Sequence, residues 1–289
     1  MTRLRMNRLG MTVMTVASLT LREASRRKVV WALASLTVIL LALDAWGFAS
    51  LTGLHTSYGA MTSGEARLLA SELLNLVMFA MSLIVALGTA LLAGPTLAGE
   101  LESGIALAVL ARPISRTSVL VGKWLGLTTF ACGYVLAAGL LQFTVVWWTV
   151  GYWPPSPVIA LAMLAAEAIT LLTLALLLSS LISPLASGVV AIGLFGATWV
   201  AGVVGGVGAA IGNPRVERIG TIAQMLLPTD GLWHGAMHAI QDPLVLTRFP
   251  TGFPFLSQSA PTPAYLVWAA TWVTLTGGLC ALAFTRRDI

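Results

Sequence analysis

Asp44 and Glu167 are carboxyls set inside long apolar runs. An ionised group at the centre of a bilayer costs on the order of 3 kcal/mol, so such a side chain faces a protein interior or an aqueous cavity. Counting along the helices places both in the outer to middle part of their runs, where they could lie near one another. They line a translocation route, or they form a polar contact between helices with a Ser, Thr or Trp donor; both readings stand. His234 and His238 are four residues apart, which would put two imidazoles on one helical face, the geometry of a two-histidine metal pair. No glutamate follows His234 and no third ligand is obvious, so the pair is a weak metal candidate and no metal is expected. Cys132 and Cys280 lie in apolar runs without metal-type spacing and read as packing residues. No H-E-x-x-H and no pair of aspartates on one helix suggests catalysis.

A third group is clustered. Glu100, Glu102, Arg112, Arg116 and Lys123 fall within 24 residues of a chain that holds only 16 Lys and Arg and 11 Asp and Glu in 289 positions. Pro113 lacks an amide donor and turns Arg112 away from helical angles. The stretch is therefore expected to be a short amphipathic helix begun near Gly99 and ended before Pro113, within residues 99–116. A polar helix between two apolar runs, at a membrane surface, is suited to touching a soluble partner.

The elements that must position these groups are membrane spans. Hydrophobic residues make up 57% of the chain, charged ones 9%, and the mean hydropathy is +0.90. That composition excludes an ordinary soluble domain, and the net charge of +5 has no need of nucleic acid. At roughly 20 residues per crossing, six spans are expected, at residues 29–51, 74–95, 125–148, 158–182, 185–211 and 263–284. The expected fold is an all-α polytopic membrane protein in two parts: a connecting helix over 1–28 and a six-helix domain over 29–289.

Residues 1–28 carry seven basic residues around a weakly apolar stretch. They read as an amphipathic interfacial helix with Met11, Met14, Val16 and Leu19 on one side, rather than as a signal peptide. Residues 52–73 read as a polar loop. Trp147, Trp148, Tyr152 and Trp153 suggest an aromatic belt at a water interface. In the fifth span Gly193, Ala197, Ala201, Gly205 and Ala209 recur every four residues. That is a ridge on which a helix of the same chain or of a second copy would pack closely. Residues 212–262 are too long for a bare loop and should hold two short helices at the outer surface, near 216–227 and 231–240, with Asp230 as cap of the second.

Twelve of the sixteen Lys and Arg residues fall on the side of the termini and of residues 99–125, and Arg67, Arg215, Arg218 and Arg248 fall on the other. The bias places both termini and the charged stretch in the cytoplasm of a multi-pass cell-membrane protein, and 212–262 outside.

The run from Glu100 to Gly104, then Ala-Arg-Pro-Ile-Ser-Arg at 111–116, then Gly122-Lys123, resembles the signature of type-2 ABC exporter permeases. That is the branch that includes the nitrous-oxide-reductase maturation permease, to whose family the chain is similar. The basic helix before the first span, the signature between spans two and three, the outer segment and the closing Arg-Arg-Asp extend the resemblance over nearly the whole chain. It implies that the charged stretch is a coupling helix docking into an ATPase subunit through Glu100, Glu102, Gly104, Arg112, Pro113, Arg116 and Lys123. It also implies that two ATPases assemble with two permeases, identical or related, and that substrate passes along the permease interface. No G-x-x-x-x-G-K-[ST] cradle occurs, Gly122-Lys123 being followed by Trp124, so ATP and Mg are expected on the partner. Two other classes remain in view. A channel or structural subunit would have no ATPase partner, and an intramembrane enzyme would need a catalytic set the sequence lacks.

Overall fold

A computed structural model describes residues 2–51, 55–56, 59–60, 63–102, 115–243, 257 and 259–286. Helices α1 (Thr2–Arg26) and α2 (Lys28–Leu51) are followed by a two-stranded antiparallel hairpin, His55–Thr56 with Gly59–Ala60. Then come α3 (Ser63–Glu102), α4 (Arg116–Val150), α5 (Pro157–Ser179), α6 (Pro184–Ala210), α7 (Pro214–Leu226), α8 (Thr229–Ile240) and α9 (Pro263–Arg286). Six of them, α2 to α6 and α9, are long and apolar enough to cross a membrane. Their alternation gives the bundle a loop end, where α3 passes to α4, and a cap end, which carries α7 and α8.

The expected second span is too short. Helix α3 extends over 40 residues, taking in residues read as a polar loop at one side and Gly99, Glu100 and Glu102 at the other. Its extra turns hold because their polar groups find partners. At the cap end the buried Ser71 hydroxyl accepts the Asp242 amide at 2.7 Å. At the loop end Pro95 interrupts the backbone ladder inside the helix. There the Ser179 hydroxyl donates to the Gly94 carbonyl and accepts the Leu97 amide at 3.3 Å. Ser179 of α5 thus ties the backbone on both sides of Pro95 to the neighbouring helix. No helix begins at Gly99, because α3 runs through it; Gly104, Arg112 and Pro113 lie outside the described residues.

The core is formed by α3 and α5 with the facing sides of α4 and α6. Helix α1 lies on α4, where Gly122 and Gly126 leave room for Val16 and for the Ala17 carbonyl. Val16 therefore faces α4, while Met11, Met14 and Leu19 are exposed, which corrects the grouping of all four on one side. Trp147, Trp148 and Trp153 are exposed, but Tyr152 is buried and leaves the expected belt. Its hydroxyl donates to the Ile240 carbonyl at 2.6 Å, tying the end of α4 to α8.

The four-residue ridge on α6 is only partly a packing face within the chain. Gly205 is buried, whereas Gly193, Ala197 and Ala209 are exposed and a Cβ at Gly193 would meet nothing. The intramolecular face follows Gly202, Gly205 and Gly208 instead. Gly212 turns the chain at φ 67°, Asn213 caps α7 by accepting the Arg215 amide at 3.1 Å, and α7 folds back along those glycines. A Cβ on Gly205 would sit 2.7 Å from Gly220 Cα, so the two backbones touch there.

Helix α8 is not a surface helix. It is buried along nearly its whole length, with Trp233 against Phe79 at 5.5 Å between ring centroids and Phe79 stacked on Trp199 at 4.8 Å.

Candidate functional site

The charged stretch is held from both flanks. Lys123 is 6% exposed and its ammonium donates to the Thr96 carbonyl at 3.0 Å, tying α4 to α3 one residue past Pro95. Expected at a docking surface, Lys123 instead turns into the bundle, since a long cation in the first turns of a span gains more from a carbonyl than from lipid. Arg116 Nη1 donates to the Thr285 carbonyl at 3.3 Å, where the last carbonyls of α9 lack helical partners. Ser115 caps α4, accepting the Ser118 amide at 3.2 Å. Glu100 and Glu102 occupy the last turn of α3. The flanking helices are thus each tied into the bundle near this segment, α3 at Thr96 and α4 at Arg116 and Lys123.

The two intramembrane carboxyls are buried and separately partnered. Asp44, 6% exposed, accepts the Gln142 side-chain amide at 2.8 Å, joining α2 to α4. Glu167, 5% exposed, accepts the Ser82 hydroxyl at 2.8 Å, joining α5 to α3. They bond on different helix pairs, and neither lines the large cavities between α4, α5 and α9. This is the arrangement of polar contacts between helices.

Glu167 lies within electrostatic reach of Asp230 rather than sharing a partner with Asp44. Asp230 does not cap α8: Pro228 holds that position, and the Asp230 side chain turns into the protein. It accepts the Gln224 side-chain amide at 2.8 Å and lies 3.5 Å from His234 Nδ1. It also sits over Gly202, where any side chain on α6 would collide with it. Burial pushes its carboxyl above the ordinary value, with His234 and Gln224 pulling the other way. Tyr265 closes the group, its hydroxyl donating to the Pro228 carbonyl at 3.2 Å.

The histidines are drawn into this scaffold. His234 Nδ1 is 2.8 Å from the Asp230 carbonyl and His238 Nδ1 is 3.3 Å from the Ser257 carbonyl. No cluster of three or more metal-type ligands occurs among the described residues.

Ser82, Gln142, Gln224 and Tyr265 carry no sequence signal of a site. Each is recognised only as the partner of a carboxyl or of the backbone around one.

Six apolar spans, buried polar ties and a charged connection between the second and third crossing define a polytopic helical membrane protein of the transporter type. The chain belongs to the ABC-2 family transporter proteins, whose family pattern it matches over residues 14–289. It is accordingly an ABC transporter permease. No curated protein sequence matches the chain.

Proposed function

We propose that this permease works as an exporter, coupled through residues 99–116 to separate ATPase subunits that bind ATP and Mg, two of them serving two permease copies. The single observation that supports the coupling is the anchoring beside that stretch, where Lys123 ties its two flanking helices together at Thr96 and Arg116 ties the second of them to Thr285 of α9. A load applied to residues 103–114 passes directly into α3, α4 and α9. Glu100, Glu102 and Arg112 meet charges of opposite sign on the ATPase, and residues 1–28 form a connecting helix at the cytoplasmic face. The exposed Gly193, Ala197 and Ala209 on α6 suit close approach of a second copy or a related permease. With the positive residues on the termini side, both termini are cytoplasmic and 212–262 is external.

The test is purification of the tagged chain in mild detergent, with the mass of the intact complex measured. Two copies each of permease and ABC ATPase are expected. Glu100→Lys with Glu102→Lys should release the ATPase while the permease stays inserted; recovery of the permease with no nucleotide-binding subunit under any condition overturns the reading.

A further inference from the structure

Helix α7 does not stand on top of the bundle. Gly208 of α6 lies against Glu217 and Gly205 against Gly220, so the two helices run antiparallel and α7 leads from the tip of α6 back toward the middle of the bundle. Gly205 lies five residues inside the end of α6 at Ala210, and Leu226 lies six residues past Gly220, which puts the end of α7 about 16 Å below that tip. A second count agrees. Trp272, nine residues into α9, donates its indole N–H to the Leu226 carbonyl at 2.8 Å, a depth of about 14 Å along α9. The headgroup layer accounts for only about 5–8 Å on each side, half the difference between a bilayer of roughly 40–45 Å and its core of about 30 Å. Both counts carry the end of α7 into hydrocarbon.

The hydrogen bonds there fit that depth. The last carbonyls of a helix lack partners along the chain. Trp268 donates to the Met225 carbonyl at 3.1 Å and Trp272 to that of Leu226, while the Tyr265 hydroxyl reaches the Gln224 carbonyl at 3.3 Å as well as that of Pro228. Tyr265, Trp268 and Trp272 share one face of α9. A helix end in water needs no such donors; one in hydrocarbon has no other source.

The face of α7 turned away from α6 is graded along its length. Arg215, Ile219, Ile222 and Leu226 recur at steps of four and three residues, hence on one side of the helix, and all are exposed. Arg218 adds a second exposed cation at the shallow end, and neither arginine is in an ion pair among the described residues. Cations come first and hydrocarbon below, in the order in which a leaflet presents phosphate and then acyl chains. A second copy related by a twofold along the membrane normal would instead set Arg215 against Arg215.

We infer that this stripe of α7 is a lipid-binding surface, with phospholipid phosphates at Arg215 and Arg218 and acyl chains of the cap-end leaflet over Ile219, Ile222 and Leu226. The surface is independent of the coupling stretch and of any ATPase partner.

Spin-label accessibility in vesicles of phosphatidylethanolamine and phosphatidylglycerol tests the assignment. The full chain, with Cys132→Ala and Cys280→Ala, carries one nitroxide at a time at Asn213→Cys, Arg215→Cys, Ile219→Cys, Ile222→Cys or Leu226→Cys. Relaxation by a water-soluble nickel chelate should be strong at Asn213→Cys, in the exposed turn before α7, and lost at Leu226→Cys. Relaxation by oxygen, which concentrates in acyl chains, should rise in the same order, with Arg215→Cys reading the phosphate level. Should Leu226→Cys fail to fold, Ile219→Cys and Ile222→Cys carry the same comparison. Nickel access at these three sites equal to that at Asn213→Cys means water and overturns the proposal. Exclusion of both agents means that protein, a second copy included, covers the stripe, and overturns it as well.

Discussion

The Gln142 side-chain amide reaches across from α4 to Asp44 Oδ2 on α2 at 2.8 Å, and both side chains are buried. Helix α2 is the least covered span together with α9, and this bond is one of its polar ties to α4, beside those of Thr37 and the Leu33 carbonyl to the Tyr134 hydroxyl. Asp44→Ala should destabilise the bundle by about 1 kcal/mol, within the range for hydrogen bonds between membrane helices. Asp44→Asn, which keeps an acceptor, should lose less. Unfolding titrations in mixed micelles separate the two; equal stability of both with the parent contradicts the role.

The approach of α6 and α7 is set by glycine. A Cβ at Gly205 would lie 2.7 Å from Gly220 Cα and 2.9 Å from its nitrogen, atoms of the main chain that cannot swing aside. Gly205→Ala is expected to cost about 1–3 kcal/mol as overpacking. Gly193→Ala meets open space within the chain and should leave the permease stable, or gain about 0.5–1 kcal/mol from the helix preference of alanine. Thermal denaturation of the two single variants, side by side, decides the matter.

Asp230 provides a pH dependence whose sign can be worked out. Burial raises its carboxyl above the ordinary 3.8, so the folded chain binds that proton more tightly than the unfolded one. Its contribution is fully present below 3.8 and is lost as pH rises toward and through the folded value. Stability of the cap end should therefore fall with rising pH in that window, and Asp230→Asn should flatten the fall. A profile that climbs over the same window, or one that the substitution does not alter, refutes the assignment.

Tyr152 joins the end of α4 to the last turn of α8 through its bond to the Ile240 carbonyl. Tyr152→Phe keeps the ring and removes that bond, so amide exchange around 237–241 should accelerate while α5 is unaffected. A loss of about 1 kcal/mol is expected. Uniform acceleration across all helices would indicate a general packing defect instead.

Much of the architecture was legible in the sequence because a bilayer demands long apolar runs, and the six runs are there. The ends were less legible. Ser71, Glu72 and Thr96 look like loop residues in isolation, yet Ser71 has the Asp242 amide and Thr96 has Lys123, partners far off in sequence. The same limit explains the ridge on α6. A four-residue repeat of small side chains identifies a helix that could pack closely, but which of its faces meets α7 depends on the turn at Gly212. Asp230 shows a related limit: an acidic residue at a helix start reads as a cap, and although His234 stands one turn along the same helix, only the fold turns the carboxyl inward to Gln224. The carboxyls at 44 and 167 stood out by residue type alone; their donors, Gln142 and Ser82, did not.

The length of α3 carries a further mechanical meaning. Forty residues make a rod of about 60 Å, longer than the roughly 40–45 Å of a bilayer with its headgroups. It is stitched near its charged end, at Thr96, to Lys123 and toward the other end, at Ser71, to the backbone at Asp242. A tilt of such a spar at its charged end is passed through Ser71 to the backbone that follows α8, so the two ends of the bundle are geared together by a single piece of secondary structure.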